Sequence, residues 1–164
     1  KVGRLMQIML TPNEQMLAAM VGQSRYTSSR LRGYDNSSQD GVGDPGRRDQ
    51  HAAGAEIAVA KALNIYWPPS WDVGKNAPDI PPDLQVRWTT HHAGKLILRP
   101  GDVPGRYILV IGQTPEFEVI GWLSREMCMI DDFLTDFGQP DRPKCYAVPR
   151  AALRPIAELD LADC

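Results

Sequence analysis

Cysteine is scarce in this chain of 164 residues: Cys128, Cys145 and Cys164 are odd in number and form no Cys-x-x-Cys pair. That spacing argues against a thiolate zinc site and a disulfide framework, and points to reduced thiols in a cytosolic setting. Long apolar runs are missing too; none approaches the roughly 18 residues that span a bilayer. Leu5–Leu10 is apolar but short and lacks a cleavage site, so no secretory leader is expected. Excess charge of either sign is also absent, with 18 Lys+Arg against 20 Asp+Glu and a net charge of −2. A globally basic nucleic-acid binder is therefore disfavoured, and only a local accumulation of charge can hold phosphates.

What remains is near the globular average in apolar and charged content, and the length suits one domain over residues 1–164. Charge is unevenly placed. Between Arg87 and Arg106 there are four bases (Arg87, Lys95, Arg99, Arg106) against one acid, Asp102, with His91 and His92 added. Between Glu116 and Asp136 there are six acids against one base, Arg125. One basic face and one acidic face is one expectation; charges solvated on both faces is the other.

Thr11-Pro12-Asn13-Glu14 is a helix start: Thr11 caps, Pro12 suits the first position and Glu14 reaches back. Met16, Leu17, Met20 and Val21 then predict a helix over about 12–29. Gly33–Arg48 is a Gly/Asp-rich loop by composition. The Ala-rich segment Gln50–Leu63 predicts a second helix, ended by Asn64. Prolines 68, 69, 78, 81 and 82 break the chain after it. Strands are expected at Leu84–Thr90, Lys95–Arg99, Tyr107–Gly112 and Phe117–Leu123, the third apolar enough to be buried on both faces. A helix from Ser124 to about Phe137, an edge strand at Tyr146–Pro149 and a short helix at Ala151–Leu159 complete the reading. The tryptophans at 67, 71, 88 and 122 are expected in core or rim packing, with base stacking on Trp71 as the alternative.

Alternation in Leu84–Thr90 puts Leu84, Val86 and Trp88 on one side and Gln85, Arg87 and Thr89 on the other. Asp79 precedes the strand across Pro81-Pro82-Asp83, and a hairpin there brings it beside Gln85. A helix packed on that face delivers Glu56. Three oxygen-bearing side chains and one cation then make a cradle for a hard divalent ion, which takes oxygen ligands in near-octahedral geometry. Such an ion polarises a phosphodiester and lowers the pKa of bound water. Taken singly, Glu56 is a helix-surface charge, Asp79 a turn cap, Asp83 a turn residue or fallback ligand, and His51 a weak candidate.

Pro78-Asp79 and Gln85-Val86-Arg87 resemble the PD and (D/E)xK elements of the PD-(D/E)xK nuclease superfamily, and Ala55-Glu56 is similar to its upstream acidic position. Over roughly residues 50–160 the chain also resembles small nuclease-like proteins encoded by tailed phages. The segments that carry this likeness are Gly54–Ala60, Leu84–Arg87, Gly121-Trp122-Leu123 and Val148-Pro149. The resemblance implies an α+β fold, a restriction-endonuclease-like core with a mixed central β-sheet flanked by helices. It implies a cytoplasmic enzyme (host cytoplasm if phage-encoded) that hydrolyses DNA phosphodiester bonds with Mg2+ or Mn2+. Glu56, Asp79, Gln85 and the Val86 carbonyl would hold the metal and Arg87 would stabilise negative charge. Lys75, His91, His92, Lys95 and Arg99 would lie along the nucleic acid.

Two positions depart from the family pattern. Gln85 stands where an acid is usual, though its carbonyl still ligates. Arg87 stands where lysine is usual; it keeps the charge but does not release a proton, so His91 or His92 becomes the alternative base and Lys75 the alternative lysine. These departures carry a second expectation, a catalytically inactive nuclease-fold protein that binds nucleic acid or a host protein, the latter through the acidic 116–136 stretch. The family core has a helix after its third strand. Here only Pro100–Gly105 separates two strands, so a hairpin is expected, with the helix displaced to Ser124–Phe137.

Overall fold

The computed structural model describes residues 5–33, 44–71, 74 and 76–162. Its elements, in chain order, are strand β1 (Met6–Met9), helices α1 (Pro12–Leu31) and α2 (Pro45–Leu63), and strands β2 (Leu84–Thr89), β3 (Leu96–Leu98), β4 (Arg106–Gln113) and β5 (Glu116–Ser124). They are followed by the single-turn helix α3 (Arg125–Cys128) and strands β6 (Leu134–Thr135) and β7 (Cys145–Val148). The fold is mixed α+β with two sheets. No helix among the described residues is long and apolar enough to cross a membrane.

Helix α1 begins with the expected reciprocal cap: the Thr11 hydroxyl accepts the Glu14 N–H and the Glu14 carboxylate accepts the Thr11 N–H at 2.7 Å. Helix α2 starts earlier than its Ala-rich core suggests. Asp44 caps it by accepting the Gly46 N–H, and Pro45 fills the first position. The C-terminal part of the expected 33–48 loop is therefore helix; residues 34–43 lie outside those described. Asn64 closes α2 in the left-handed conformation at φ 53°. The two helices touch closely, since a Cβ on Gly22 would sit 2.5 Å from the Gln50 backbone.

The larger sheet has the order β1-β5-β4-β2, with β2 at an edge and parallel to β4. This overturns the hairpin expected across Pro100–Gly105. Strand β3 leaves for a second sheet, of order β3-β7-β6, so residues 90–105 together form the long crossover that parallel pairing needs. That crossover carries the short strand β3 and no helix. Strand β7 is accordingly central in its sheet, not an edge. The predicted helices at 124–137 and 151–159 shrink to α3 and to 3-10 turns at 131–133, 150–152 and 156–158. Pro155 interrupts the last pair. Strand β1 has no counterpart in the sequence reading; the apolar run at its position holds a sheet edge against β5.

Strand β4 is buried on both faces, as its composition requires. Ile108 and Val110 meet α2 and the partly buried Met6 and Ile8, while Tyr107, Leu109 and Ile111 meet Leu96, Leu98 and Val148 of the second sheet. The two long helices thus lie on one face of the central sheet, and the second sheet, with Cys128 of α3, covers the other. In β5, Ile120 is an extra residue, because Leu109 pairs with Gly121 and Val110 with Val119. The bulge switches side-chain parity, which is why Phe117 and Val119 share the helix-side core with Trp122.

Candidate functional site

The inward stripe of α2 carries Glu56 into the molecule, where it is 4% exposed. Both carboxylate oxygens are taken. Arg25 of α1 donates from Nη1 to Oε1 at 2.6 Å and from Nη2 to Oε2 at 2.9 Å, and Trp67 Nε1 donates to Oε2 at 2.9 Å. Arg25 Nε donates to the Ser70 carbonyl at 3.1 Å, so the guanidinium fork is fixed on two sides. Burial lifts the Glu56 carboxyl to about 6 with the help of nearby Asp79, against the pull of Arg25 and Trp67. Burial opposes the Arg25 charge, yet the Glu56 hydrogen bonds and charge, with Asp79 and Asp49 behind them, carry it above its ordinary value.

Asp79 lies at the free edge of β2. Its Oδ2 accepts the Val86 N–H at 2.7 Å, pinning the strand, and the half-buried carboxyl is raised by burial against Val86, Arg87 and Arg25. Gln85 is 7% exposed and donates from Nε2 to the Ala77 carbonyl at 3.4 Å. Arg87 pairs with Asp102 at 3.1 Å and lies 5.0 Å over the Tyr107 ring.

These residues do not form one pocket. Leu84, Val86 and Trp88 belong to the core under α2, so Gln85 and Arg87 point to the opposite face, toward Tyr107. Helix α2 packs on the other side of β2 from the one the cradle required. Glu56 therefore stands with Arg25 and Trp67 on the helical side. Arg87 stands with Asp102 and Tyr107 on the far side, and Asp79 sits at the edge within electrostatic reach of both arginines. Asp83, the fallback ligand, is held in an ion pair by Arg106. His51 contacts Thr114 and the Trp88 ring, and burial and Arg47 lower its pKa.

The fit to a divalent metal fails in this arrangement. The oxygens of Glu56 already accept three N–H bonds, and Asp79, the carboxylate that raises its pKa, keeps one oxygen on the Val86 N–H. Among the described residues no group of three or more His, Cys, Asp or Glu side chains is placed to hold an ion. A hard cation there would also face Arg25 at once.

His91, His92, Lys95 and Arg99 are all exposed on the crossover. Lys95 and Arg99 make no ion pair among the described residues, and Asp102, the one acid of the segment, is engaged by Arg87 and by the Arg99 N–H. Lys75 lies outside the described residues. Trp71 is 58% exposed, whereas Trp67 and Trp122 are buried. The open groove between α1 and the start of α2, lined by Met20, Tyr26, Arg47 and Gln50, contains none of the candidate residues.

Sequence reasoning missed Arg25 and Trp67. Arg25 lies one helical turn beyond the buried Val21, a spacing that marks the inward face of α1. Trp67 has no comparable signal within its proline-rich surroundings. Comparison with known protein families, with characterised proteins and with solved structures finds no match to this chain.

Proposed function

We propose that this chain is a nuclease-like domain that binds the phosphate backbone of DNA without cutting it. One observation carries the binding. The crossover beside β2 exposes His91, His92, Lys95 and Arg99 while its only acid is consumed by Arg87. Phosphate contacts supply most of non-specific affinity, and each neutralised phosphate adds roughly 0.9 to the salt slope on duplex DNA. The absence of cutting follows from Glu56, whose oxygens Arg25 and Trp67 saturate, and from Arg87, which holds Asp102 and does not deprotonate water. Parallel pairing of β2 with β4, and an acid-bearing helix ahead of the Pro78-Asp79 element, support the restriction-endonuclease-like reading of the core.

The test is fluorescence anisotropy with labelled duplex and single-stranded DNA in a chelator across a salt series. Binding is expected to persist in the chelator and to weaken with salt. Lys95→Ala and Arg99→Ala should each lower the duplex slope by roughly one. Binding that is undetectable at low salt, or untouched by both substitutions, ends the proposal.

A second reading, Mg2+- or Mn2+-dependent cleavage, is favoured by the electrostatic proximity of Glu56 and Asp79, which come from different elements. It also has Asp79 at the free edge of β2, bonded to the Val86 main chain. It requires Arg25 to leave Glu56. Plasmid and single-stranded DNA incubated with each metal and with chelator decide it: metal-dependent cleavage abolished in Asp79→Ala replaces the first reading with the second.

A further inference from the structure

Arg125 is the one base in the acidic stretch from Glu116 to Asp136. Its side-chain donors go to carbonyls of the crossover rather than to those acids: Nε to Asp102 at 2.6 Å and Nη2 to Pro100 at 3.5 Å. Its main-chain N–H donates to the Gly105 carbonyl at 2.9 Å. The turn held in this way is also closed from within. The Arg99 N–H donates to Asp102 Oδ2 at 2.9 Å, and the Asp102 N–H donates to the Arg99 carbonyl at 3.0 Å. Arg87 pairs with the same Oδ2, and the buried Tyr107 donates from its hydroxyl to the Val103 carbonyl at 2.6 Å. At the other end of the crossover, Arg150 Nη1 donates to the His92 carbonyl at 2.9 Å. Between these two anchors β3 is paired with β7, and its Leu96 and Leu98 are buried. Connecting segments are ordinarily the mobile part of a fold. This one is fixed at both ends and in the middle.

We propose, resting on the DNA-binding reading above, that the crossover is a preformed phosphate-binding strip matched to duplex DNA, with Arg125 the positioning residue for Arg99. Lys95 and Arg99 are exposed and flank β3 at an even spacing, so strand alternation sends both side chains away from the buried Leu96 and Leu98. The paired strand and the clamped turn fix the separation of the two charges. A duplex presents its phosphates in a regular array, and cations already held in place lose little freedom on meeting it. A single strand is flexible and adapts to cations wherever they lie, so it gains little from the clamp. With Nε and Nη2 engaged on the turn, Arg125 acts through Arg99 rather than on a phosphate of its own.

The experiment is anisotropy of the intact chain with labelled duplex and single-stranded DNA in chelator, for wild type, Arg99→Ala, Arg125→Ala and the double variant. Arg125→Ala should weaken duplex binding roughly three- to tenfold and single-strand binding by less than about twofold. A variant that had merely lost part of its fold would weaken on both forms alike. The double variant should bind duplex no more weakly than Arg99→Ala, to within about twofold. Losses that multiply in the double variant overturn the proposal, because Arg125 would then act by its own charge. So do equal losses on the two forms of DNA, and so does an Arg125→Ala variant that binds duplex as wild type does. Arg125→Met keeps the aliphatic stem and takes the place of Arg125→Ala should that variant fail to melt cooperatively. Wild type that binds neither form ends the DNA-binding reading itself. Weakening by Lys95→Ala with none from Arg99→Ala ends only the role given to Arg125.

Discussion

Replacing Glu56 with Gln changes one atom at nearly constant size in a fully buried position, and its consequence is a slope against pH. The Glu56 carboxyl titrates near 4.5 in an unfolded chain and at about 6 in the fold, chiefly because burial disfavours its charge. The folded state therefore holds that proton more tightly. The advantage is complete below pH 4.5 and is lost as the pH rises through about 6. The interval corresponds to about 2 kcal/mol. An amide at this position cannot titrate, so the stability of Glu56→Gln relative to wild type should rise by about 2 kcal/mol between roughly pH 4 and pH 7. Urea denaturation of both proteins at several pH values measures it, and the difference cancels every other carboxylate not coupled to residue 56. Asp79 is the exception, being close to Glu56, and Asp79→Asn in both backgrounds isolates it. A difference that stays flat or falls with pH refutes the reasoning. It would mean that Arg25 and Trp67 hold the carboxylate ionised below its ordinary range.

Trp67→Phe keeps an aromatic ring but leaves Glu56 Oε2 with one donor fewer, which should cost about 1–3 kcal/mol in equilibrium unfolding. An unchanged midpoint would show that the indole N–H is dispensable. At Gly121 a Cβ would stand 2.6 Å from the Arg154 carbonyl and 2.9 Å from Leu153 Cβ, where Trp122 bridges Arg154. Gly121→Ala should therefore destabilise by about 1–3 kcal/mol, read by thermal melting, and a neutral result would mean the C-terminal segment is free to shift. Cys128 is buried, and burial, with Glu126, pushes its thiol to about 12. Iodoacetamide should modify it only on unfolding; rapid labelling of the native chain, located by mass spectrometry, would contradict that burial.

Local signals were sufficient for the parts of the fold that local physics controls. Thr11-Pro12-Asn13-Glu14 announces α1 because capping is satisfied within one turn, and Asn64 ends α2 because few other side chains accept the left-handed conformation. The apolar run of β4 announces burial on both faces because no charged side chain interrupts Tyr107–Ile111. Pairing partners are not local. Whether β3 returns beside β4 or leaves for β7 depends on which apolar surface needs covering, and Leu96 and Leu98 cover Leu109 and Ile111. The same holds at the centre of the molecule. Alternation placed Gln85 and Arg87 on one face of β2, but which face α2 would cover was decided by Leu84, Val86 and Trp88 joining its core. The order of acidic positions was visible along the chain, and their counter-ion was not. Arg25 reaches Glu56 across 31 positions only once α1 lies against α2. A charge that must leave water takes whichever partner the packing brings within reach.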